Sequence, residues 1–281
     1  MVLVFEMKIT GISPIYNTIS AGYPFMECLL LVLPIVDKML VNDGGSTDGT
    51  REALEKFEKK FDKVEIIDMP HYESSSYESM DRALEEIIEM IDGGWIYEVQ
   101  ADEYIVDGEN LKEEINEADN KNKNSLRQPL HTIHNWATFG DEKKPWQKVR
   151  VFKNIGTIKS TIGGDNFYFE GEPKRNENYA THNLFPEYKS KTIIWHLHNL
   201  FAEGKIQKAK THARFYAKEH SHRNELYEKY KELNNYHVLP RQEEIHDAIH
   251  PIFRGLFGMK KYQVREELFD KGWLVNNGVT L

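Results

Sequence analysis

The stretch Asn42-Asp43-Gly44-Gly45-Ser46-Thr47-Asp48-Gly49-Thr50 decides the fold. It follows the apolar segment Lys38–Asn42, which predicts a β-strand, and it precedes Thr50–Phe61, which predicts a helix with Thr47 or Asp48 as its N-cap. The glycines let the backbone approach a ligand closely, and an aspartate at a strand end can accept a hydrogen bond from a base or a ribose. These residue types also suit an ordinary strand-to-helix turn, so at this point both interpretations stay open.

Around this stretch the chain alternates between strand and helix patterns. The predicted strands are Met7–Ser13, ending at Pro14, and then Lys38–Asn42, Val64–Asp68 and Trp95–Val99. The predicted helices between them are Tyr23–Leu33, Thr50–Phe61 and Ser79–Ile91. Strands separated by helices imply a parallel sheet with helices on its faces, and such sheets bind ligands at the carboxyl ends of their strands. Gln100-Ala101-Asp102-Glu103 falls at such an end, as does the first stretch.

The second half of the chain gives mixed patterns. A charged helix is predicted over Glu109–Asn124, and further strands are predicted over Ser125–Ile133, Gln147–Phe152 and Thr192–His196. From about Gly204 the sequence is rich in Lys, Glu, His and Tyr, and it predicts helices up to Leu233 and again over Gln242–Phe257. We therefore expect an α/β fold with a mostly parallel sheet flanked by helices and a helical C-terminal region.

Composition and charge exclude several classes of protein. The chain has 281 residues, 40% hydrophobic and 29% charged, which excludes a disordered tail, and its single cysteine, Cys28, excludes an internal disulfide. Residues 1–120 carry 9 basic and 27 acidic side chains, and an acidic half argues against nucleic-acid binding. The remainder carries 27 basic and 18 acidic side chains, which suits a solvated surface, an anionic substrate or peripheral membrane contact. Because no apolar run reaches transmembrane length and no basic signal region precedes one, we expect a cytoplasmic protein.

Four motifs in the first half resemble family 2 glycosyltransferases. The stretch 42–50 resembles the family's Asp-Asp-Gly-Ser-Thr-Asp-Gly-Thr run, and Pro14-Ile15-Tyr16-Asn17 resembles its Pro-x-Tyr-Asn after the first strand. Leu33-Pro34-Ile35-Val36-Asp37 resembles the segment before its second strand. Gln100-Ala101-Asp102-Glu103 stands about 60 residues later, where the family's Asp-x-Asp motif is expected. The resemblance covers about residues 7–106 and extends more faintly to about residue 215.

The resemblance implies a GT-A fold and an inverting, hexosyl-type transfer of a sugar from a nucleotide-diphosphate donor. The nucleotide-binding half would then be residues 1–106, the acceptor-side half 107–203 and a helical extension 204–281. The residues expected to bind the nucleotide match the family's motifs: Pro14, Tyr16, Asn17, Asp43, Gln100, Ala101 and Asp102. The acceptor stays open among a glycan, a lipid-linked sugar and a protein.

The resemblance also implies a divalent cation, Mn²⁺ or Mg²⁺, because the departing diphosphate develops negative charge that a Lewis acid stabilises. Asp102 is the first expected ligand, and Glu103 is a second candidate whose alternative is an ordinary surface acid. His196 and His198 are further candidates, because the family branch carries a histidine after a late strand and alternate strand residues share a face. A purely structural histidine pair is the alternative.

Inverting transfer also needs a general base that removes the acceptor's hydroxyl proton. Asp165 and Glu172 are the expected candidates, with Glu170 beside them in the acceptor-side half. Asp165 follows two glycines in a predicted loop, and a simple turn aspartate is its alternative.

Two departures from the family pattern keep rival functions open. Gln100 replaces the first acid of Asp-x-Asp, and Gly45 is an extra glycine. A nucleotide- or sugar-binding relative without catalysis is therefore one alternative. A nucleotidyltransferase is another, although it would normally carry a basic loop after the first strand, and Gly11–Gly22 contains neither Lys nor Arg.

Overall fold

The computed structural model describes residues 7–69, 77–135, 138–139, 146–161, 166–170, 184, 186–197, 250–256, 259 and 261–280. The strands within these residues are β1 Ile9–Ile15, β2 Lys38–Asp43, β3 Val64–Asp68, β4 Trp95–Glu98, β5 Glu103–Ile105, β6 Ser125–Asn135, β7 Thr138–Phe139, β8 Trp146–Lys153, β9 Ile158–Thr161, β10 Asn166–Phe169, β11 Glu187–Lys189 and β12 Ile194–Leu197. The α-helices are α1 Thr18–Ala21, α2 Phe25–Val32, α3 Thr50–Lys60, α4 Tyr77–Glu89, α5 Gly108–Asn120 and α6 Lys271–Asn276.

Ten of these strands form one sheet with the order β3-β2-β1-β4-β8-β6-β12-β5, and β7 and β11 pair with β6. The first four strands in this order are all parallel, as the alternation of strands and helices predicts. Beyond β4 the sheet is mixed: β8 runs antiparallel to both β4 and β6, and β12 runs parallel to β6 but antiparallel to β5. The expected α/β fold, a curled sheet flanked by helices, is confirmed, and this architecture is consistent with the expected GT-A fold.

An apolar cluster covers each of the two faces of this sheet. Because successive side chains of a strand point to opposite faces, one strand contributes residues to both clusters. On β2, Met39 and Val41 belong to the cluster that includes α2, α3 and α5, whereas Leu40 belongs to the cluster that includes α4. Every residue of α2 is buried, which is the pattern of a helix enclosed on all sides rather than an amphipathic surface helix. Helices on both faces leave the strand ends as the accessible edge.

The predicted start of α3 differs in detail from the observed one. Gly49, with φ of 95°, occupies the N-cap position, and no side chain caps the helix from there. Asp48 instead accepts a hydrogen bond from the backbone N–H of Thr50 at 3.1 Å, so it contributes to the turn without being the N-cap. The positive φ explains why a glycine is needed at this position.

The described part of the C-terminal region packs against α2 through a buried polar cluster. Tyr262 donates a hydrogen bond of 2.9 Å to Glu27, and Arg265 Nη2 donates one of 3.1 Å to the same carboxylate. A Cβ at Gly255 would lie 1.8 Å from Arg265 Nη1, so the absence of a side chain there makes room for the guanidinium. Burial raises the pKa of Glu27 to about 7, outweighing the opposing effect of Arg265.

Within the helical stretch predicted near Gln242–Phe257, the segment Pro251–Leu256 is a 3₁₀-helix, and residues 242–249 lie outside the described part of the chain. The other predicted helix, Gly204–Leu233, lies outside the described residues. The division of the chain at residues 106 and 203 stays a prediction, and a single sheet runs through both of the first two parts. In the parts of the chain set out above, no helix is long and apolar enough to cross a bilayer.

Candidate active site

The candidate site lies where β1 and β4 are neighbours, at the carboxyl ends of both strands. After β1 the chain adds β2 and then β3 on one side of β1, and it then returns to add β4 on the other side. The point between β1 and β4 is therefore a topological switch point of the sheet. Ser13 ties the two ends together, since its hydroxyl donates a hydrogen bond of 2.7 Å to the carbonyl of Val99. Gly44 N–H donates to the carbonyl of Ile15 at 2.9 Å, which brings the end of β2 to the same place.

The loop after β2 is bound to the turn after β1 by reciprocal hydrogen bonds. Asn17 adopts a left-handed backbone conformation, and its N–H donates to the hydroxyl of Ser46 at 2.9 Å. Its side-chain oxygen accepts from the N–H of Thr47 at 2.8 Å, and Asp48 accepts from the N–H of Ser20 at 2.6 Å. The two motifs that the sequence singles out therefore form one structural unit, in which Asn17 supports the loop.

Asp43 is directed into its own loop. Its carboxylate is 4% exposed; one oxygen accepts from the N–H of Ser46 at 3.1 Å, and the other lies 3.6 Å from Arg51 Nη1. Arg51 also binds Asp68, and this hydrogen bond raises the pKa of Arg51 further above its ordinary value. Asp43 thus shapes the loop with its carboxylate, and its predicted contact with a nucleoside stays a prediction.

The other predicted nucleotide-binding residues surround this loop with different exposure. Pro14 is buried in β1, whereas Tyr16 is 40% exposed. Ala101 is half-buried in the turn after β4. Tyr16 therefore presents an exposed aromatic side chain next to Asn17, and a base can stack on such a surface.

Asp102 and His196, 94 residues apart in sequence, are in contact. His196 Nε2 lies 3.2 Å from Asp102 Oδ2, and the side chains are 21% and 9% exposed. The backbone holds them there, because Leu197 N–H donates to the Asp102 carbonyl at 2.7 Å and β12 pairs with β5. The structure thus brings the two together at one edge of the switch point. His198 lies outside the described residues.

Glu103 is bound to an arginine that the sequence analysis did not single out. Arg150 donates from Nε and Nη2 to the two carboxylate oxygens of Glu103, both at 2.7 Å, and its Nη1 lies 2.9 Å from Glu98. Gln100, in turn, donates to Glu98 at 2.5 Å. One signal in the sequence was available: Glu98 is the only charged residue of the apolar strand β4, and a buried carboxylate needs a partner of opposite sign.

The donor set at this edge suits a hard or borderline divalent cation. Asp102 offers carboxylate oxygen and His196 offers imidazole nitrogen, which are ligand types that Mn²⁺ accepts. Glu98, Asp102 and Glu103 carry three formal negative charges against the single positive charge of Arg150, so the cluster has a formal charge of −2. No group of three potential metal ligands is present among the described residues, so a cation here would need phosphate oxygens or water as well.

The predicted general bases lie outside the part of the chain that the structure describes, since Asp165 and Glu172 both fall in undescribed segments. Glu170 is described: it is exposed beyond the end of β10, and its N–H donates to the Thr157 carbonyl at 2.9 Å. The identity of the base stays a prediction.

The chain was compared with known proteins at three levels. No family model matches it, and no curated protein matches it. Among solved structures, TarS of S. aureus is similar over 45% of this chain and 22% of its own length, at 22% identity and a TM-score of 0.36. The mannosyltransferase PcManGT of Pyrobaculum calidifontis, solved with GDP-Man and Mn²⁺, is similar over 44% of this chain and 36% of its own, at 16% identity and a TM-score of 0.36.

A form of TarS comprising residues 1–349, solved with UDP-GlcNAc, matches 50% of this chain at 20% identity and a TM-score of 0.37. A mannose-6-phosphate isomerase of Helicobacter pylori matches 44% of this chain at 13% identity and a TM-score of 0.33. This chain thus spans well under two thirds of the length of each TarS form. All of these TM-scores are below 0.5, so the likeness to each structure is partial.

Proposed function

We propose that this chain is a GT-A glycosyltransferase that moves a hexosyl-type sugar, with inversion, from a nucleotide-diphosphate donor to an acceptor. The observation that carries the proposal is the contact of His196 with Asp102, which lies in the turn that follows β4 and whose first residue, Val99, is bound to β1 through Ser13. A diphosphate donor needs a nucleoside site and a charge-stabilising site next to each other. The ends of β1, β2 and β4 supply both, because they meet at one edge.

In this proposal the nucleoside lies over the turn Pro14–Asn17, with Tyr16 against the base. Asp43 acts mainly through the loop that it holds, and this loop limits where the ribose can lie. The diphosphate then extends toward Asp102, where the net negative charge of the protein requires a cation between the two. Asp102 and His196 would hold Mn²⁺ or Mg²⁺, which supplies Lewis-acid stabilisation of the leaving diphosphate.

The chain's own residues would complete the reaction at the other side of the sugar. We propose Asp165 or Glu172 as the base that takes the proton of the acceptor's hydroxyl while that oxygen attacks C1. A carboxylate suits this role because its pKa lies low enough for it to be ionised at neutral pH and burial can tune it upward. The acceptor is proposed only as a hydroxyl-bearing molecule.

A binding experiment followed by a turnover experiment tests the proposal. Thermal shifts of the full chain would be measured with UDP, GDP, ADP, CDP and dTDP, with and without Mn²⁺, since specific binding to the folded state raises its melting temperature. Nucleotide-sugar hydrolysis would then be measured for the base that binds. Asp102→Asn should abolish Mn²⁺-dependent hydrolysis, whereas Asp62→Asn, a change at an exposed acid remote from the site, should leave it intact.

Each other outcome has a distinct meaning. Binding without any turnover would favour a nucleotide-binding relative that lacks catalysis. Formation of a nucleotide sugar from a nucleoside triphosphate and a sugar phosphate would favour a nucleotidyltransferase. Mn²⁺-dependent turnover that survives Asp102→Asn would refute the metal role of Asp102.

A further inference from the structure

We infer that Arg150 is a positioning residue, which holds the turn bearing Asp102 in the conformation that binds the cation. The inference rests on the proposed function. Arg150 lies on β8, and its guanidinium bridges Glu98, the last residue of β4, and Glu103, the first residue of β5. Val99, Gln100, Ala101 and Asp102 are the residues between those two glutamates, so Arg150 binds the turn at both of its ends.

The contacts of Arg150 with Glu98 and Glu103 restrict the conformation of the turn at both of its ends. Three of the guanidinium nitrogens are engaged, Nε and Nη2 with the two oxygens of Glu103 and Nη1 with Glu98. A paired, planar arrangement of this kind fixes orientation as well as distance, which a lysine ammonium cannot do. The side chain of Arg150 is 2% exposed and that of Glu98 is 0% exposed, so water does not compete with the two hydrogen bonds to Glu103 or with the ion pair to Glu98.

Gln100 extends the same network into the turn itself. Its amide donates to Glu98 at 2.5 Å, and its carbonyl accepts from the N–H of Glu103 at 3.3 Å. An aspartate at this position would bring a further carboxylate toward Glu98, whereas the neutral amide supplies a donor. The glutamine that departs from Asp-x-Asp is therefore explained as part of the support of Asp102, not as a missing metal ligand.

Stability alone does not account for a buried cluster of this composition. Two carboxylates against one guanidinium leave a formal charge of −1 inside the protein, and apolar residues of similar volume commonly give equal or better stability than buried ion pairs. What such a cluster provides is a fixed geometry. Because groups that orient metal ligands typically change metal affinity about 10–100-fold when they are removed, the effect is measurable.

The chain contains a matched control for this test. Arg265 is also a buried arginine bound to a buried glutamate, Glu27, but it joins the C-terminal segment to α2, and among the described residues it forms no hydrogen bond or ion pair with the turn after β4. Arg150→Met and Arg150→Lys would be compared with Arg265→Met and Arg265→Lys. The readouts are the melting temperature, the Mn²⁺ concentration that gives half-maximal donor hydrolysis, and Mn²⁺ binding by electron paramagnetic resonance with the nucleoside diphosphate present.

Arg150→Met should raise the half-saturating Mn²⁺ concentration by about tenfold or more, and Arg150→Lys should raise it by less. The Arg265 variants should lower the melting temperature and raise the half-saturating Mn²⁺ concentration by clearly less than the matching Arg150 variants, because Arg265 reaches β5 indirectly, through the segment that bears Phe253. If Arg150→Met does not fold, Arg150→Lys and Glu98→Gln decide the question at a temperature where both are folded. Unchanged Mn²⁺ affinity in the folded Arg150 and Glu98 variants would overturn the positioning role while the proposed function stands. A wild-type protein that binds no nucleotide with Mn²⁺ would instead refute the proposed function, and this inference with it.

Discussion

Glu27→Gln should make the stability of the protein less dependent on pH. Burial raises the pKa of Glu27 from 4.5 to about 7, so the folded protein keeps this proton in a range where the unfolded chain has lost it. The stabilisation from the neutral carboxyl is complete below pH 4.5 and is lost as the pH rises through 7. At 1.36 kcal/mol per pKa unit the full shift corresponds to about 3 kcal/mol, and most of this falls between pH 5 and pH 8.

Urea unfolding at pH 5 and at pH 8 measures this effect directly. Glutamine keeps the shape of a protonated glutamate and cannot ionise, so the free energy of unfolding of the variant minus that of wild type should increase by about 2 to 3 kcal/mol from pH 5 to pH 8. The groups that face Glu27 from the C-terminal segment, Tyr262 and Arg265, are unchanged in the variant. Glu52→Gln on the exposed side of α3 is the control. A difference that is constant across this range would refute the argument.

Two predictions concern the candidate site. His196→Ala should lower donor hydrolysis and should weaken binding of the nucleoside diphosphate more than binding of the free nucleoside, with both affinities measured by calorimetry. A lower melting temperature with unchanged affinity would instead mean that His196 has only a structural role. Asp43→Ala should weaken nucleotide binding by about 1–3 kcal/mol, the scale of an unsatisfied buried hydrogen bond, because the Ser46 N–H loses its acceptor and the loop loosens. Equal affinity in Asp43→Ala and wild type would contradict that role.

The parallel half of the fold was predictable because the pattern of apolar residues within each short segment identifies its strands and helices. The apolar period identifies β1 to β4 and the helices between them, and the structure places their ends within a few residues of the predicted bounds. The N-cap of α3, directly before Thr50, is an exception, because sequence preferences for the N-cap residue do not predict it. Thr47 and Asp48 are both typical N-cap residues, but the loop uses the side chain of Asp48 to bind Ser20 and Thr50, and Gly49 takes the cap position.

The second half of the sheet was not predictable in the same way, because its order depends on contacts between distant strands. Nothing in the segment Thr192–His196 indicates that its strand, β12, lies between β6 and β5. Nor does it indicate that β12 pairs in parallel with β6 and antiparallel with β5. The same holds for Arg150, whose partners lie 47 and 52 residues away in the sequence. A charged residue in a buried strand indicates that a partner of opposite charge exists, but only the folded structure identifies that partner.

The position of Asp102 depends on three remote segments of the chain. It directly precedes β5, a strand of only three residues, which is too short to fix its own place in the sheet. β12 pairs with one side of β5, and Arg150 from β8 binds its first residue. On the third side, Tyr104 of β5 packs against Phe253 of the C-terminal segment, with ring centroids 4.6 Å apart. The carboxylate proposed to hold the cation is therefore positioned by tertiary contacts, and this is why the motif alone could identify Asp102 but not its support.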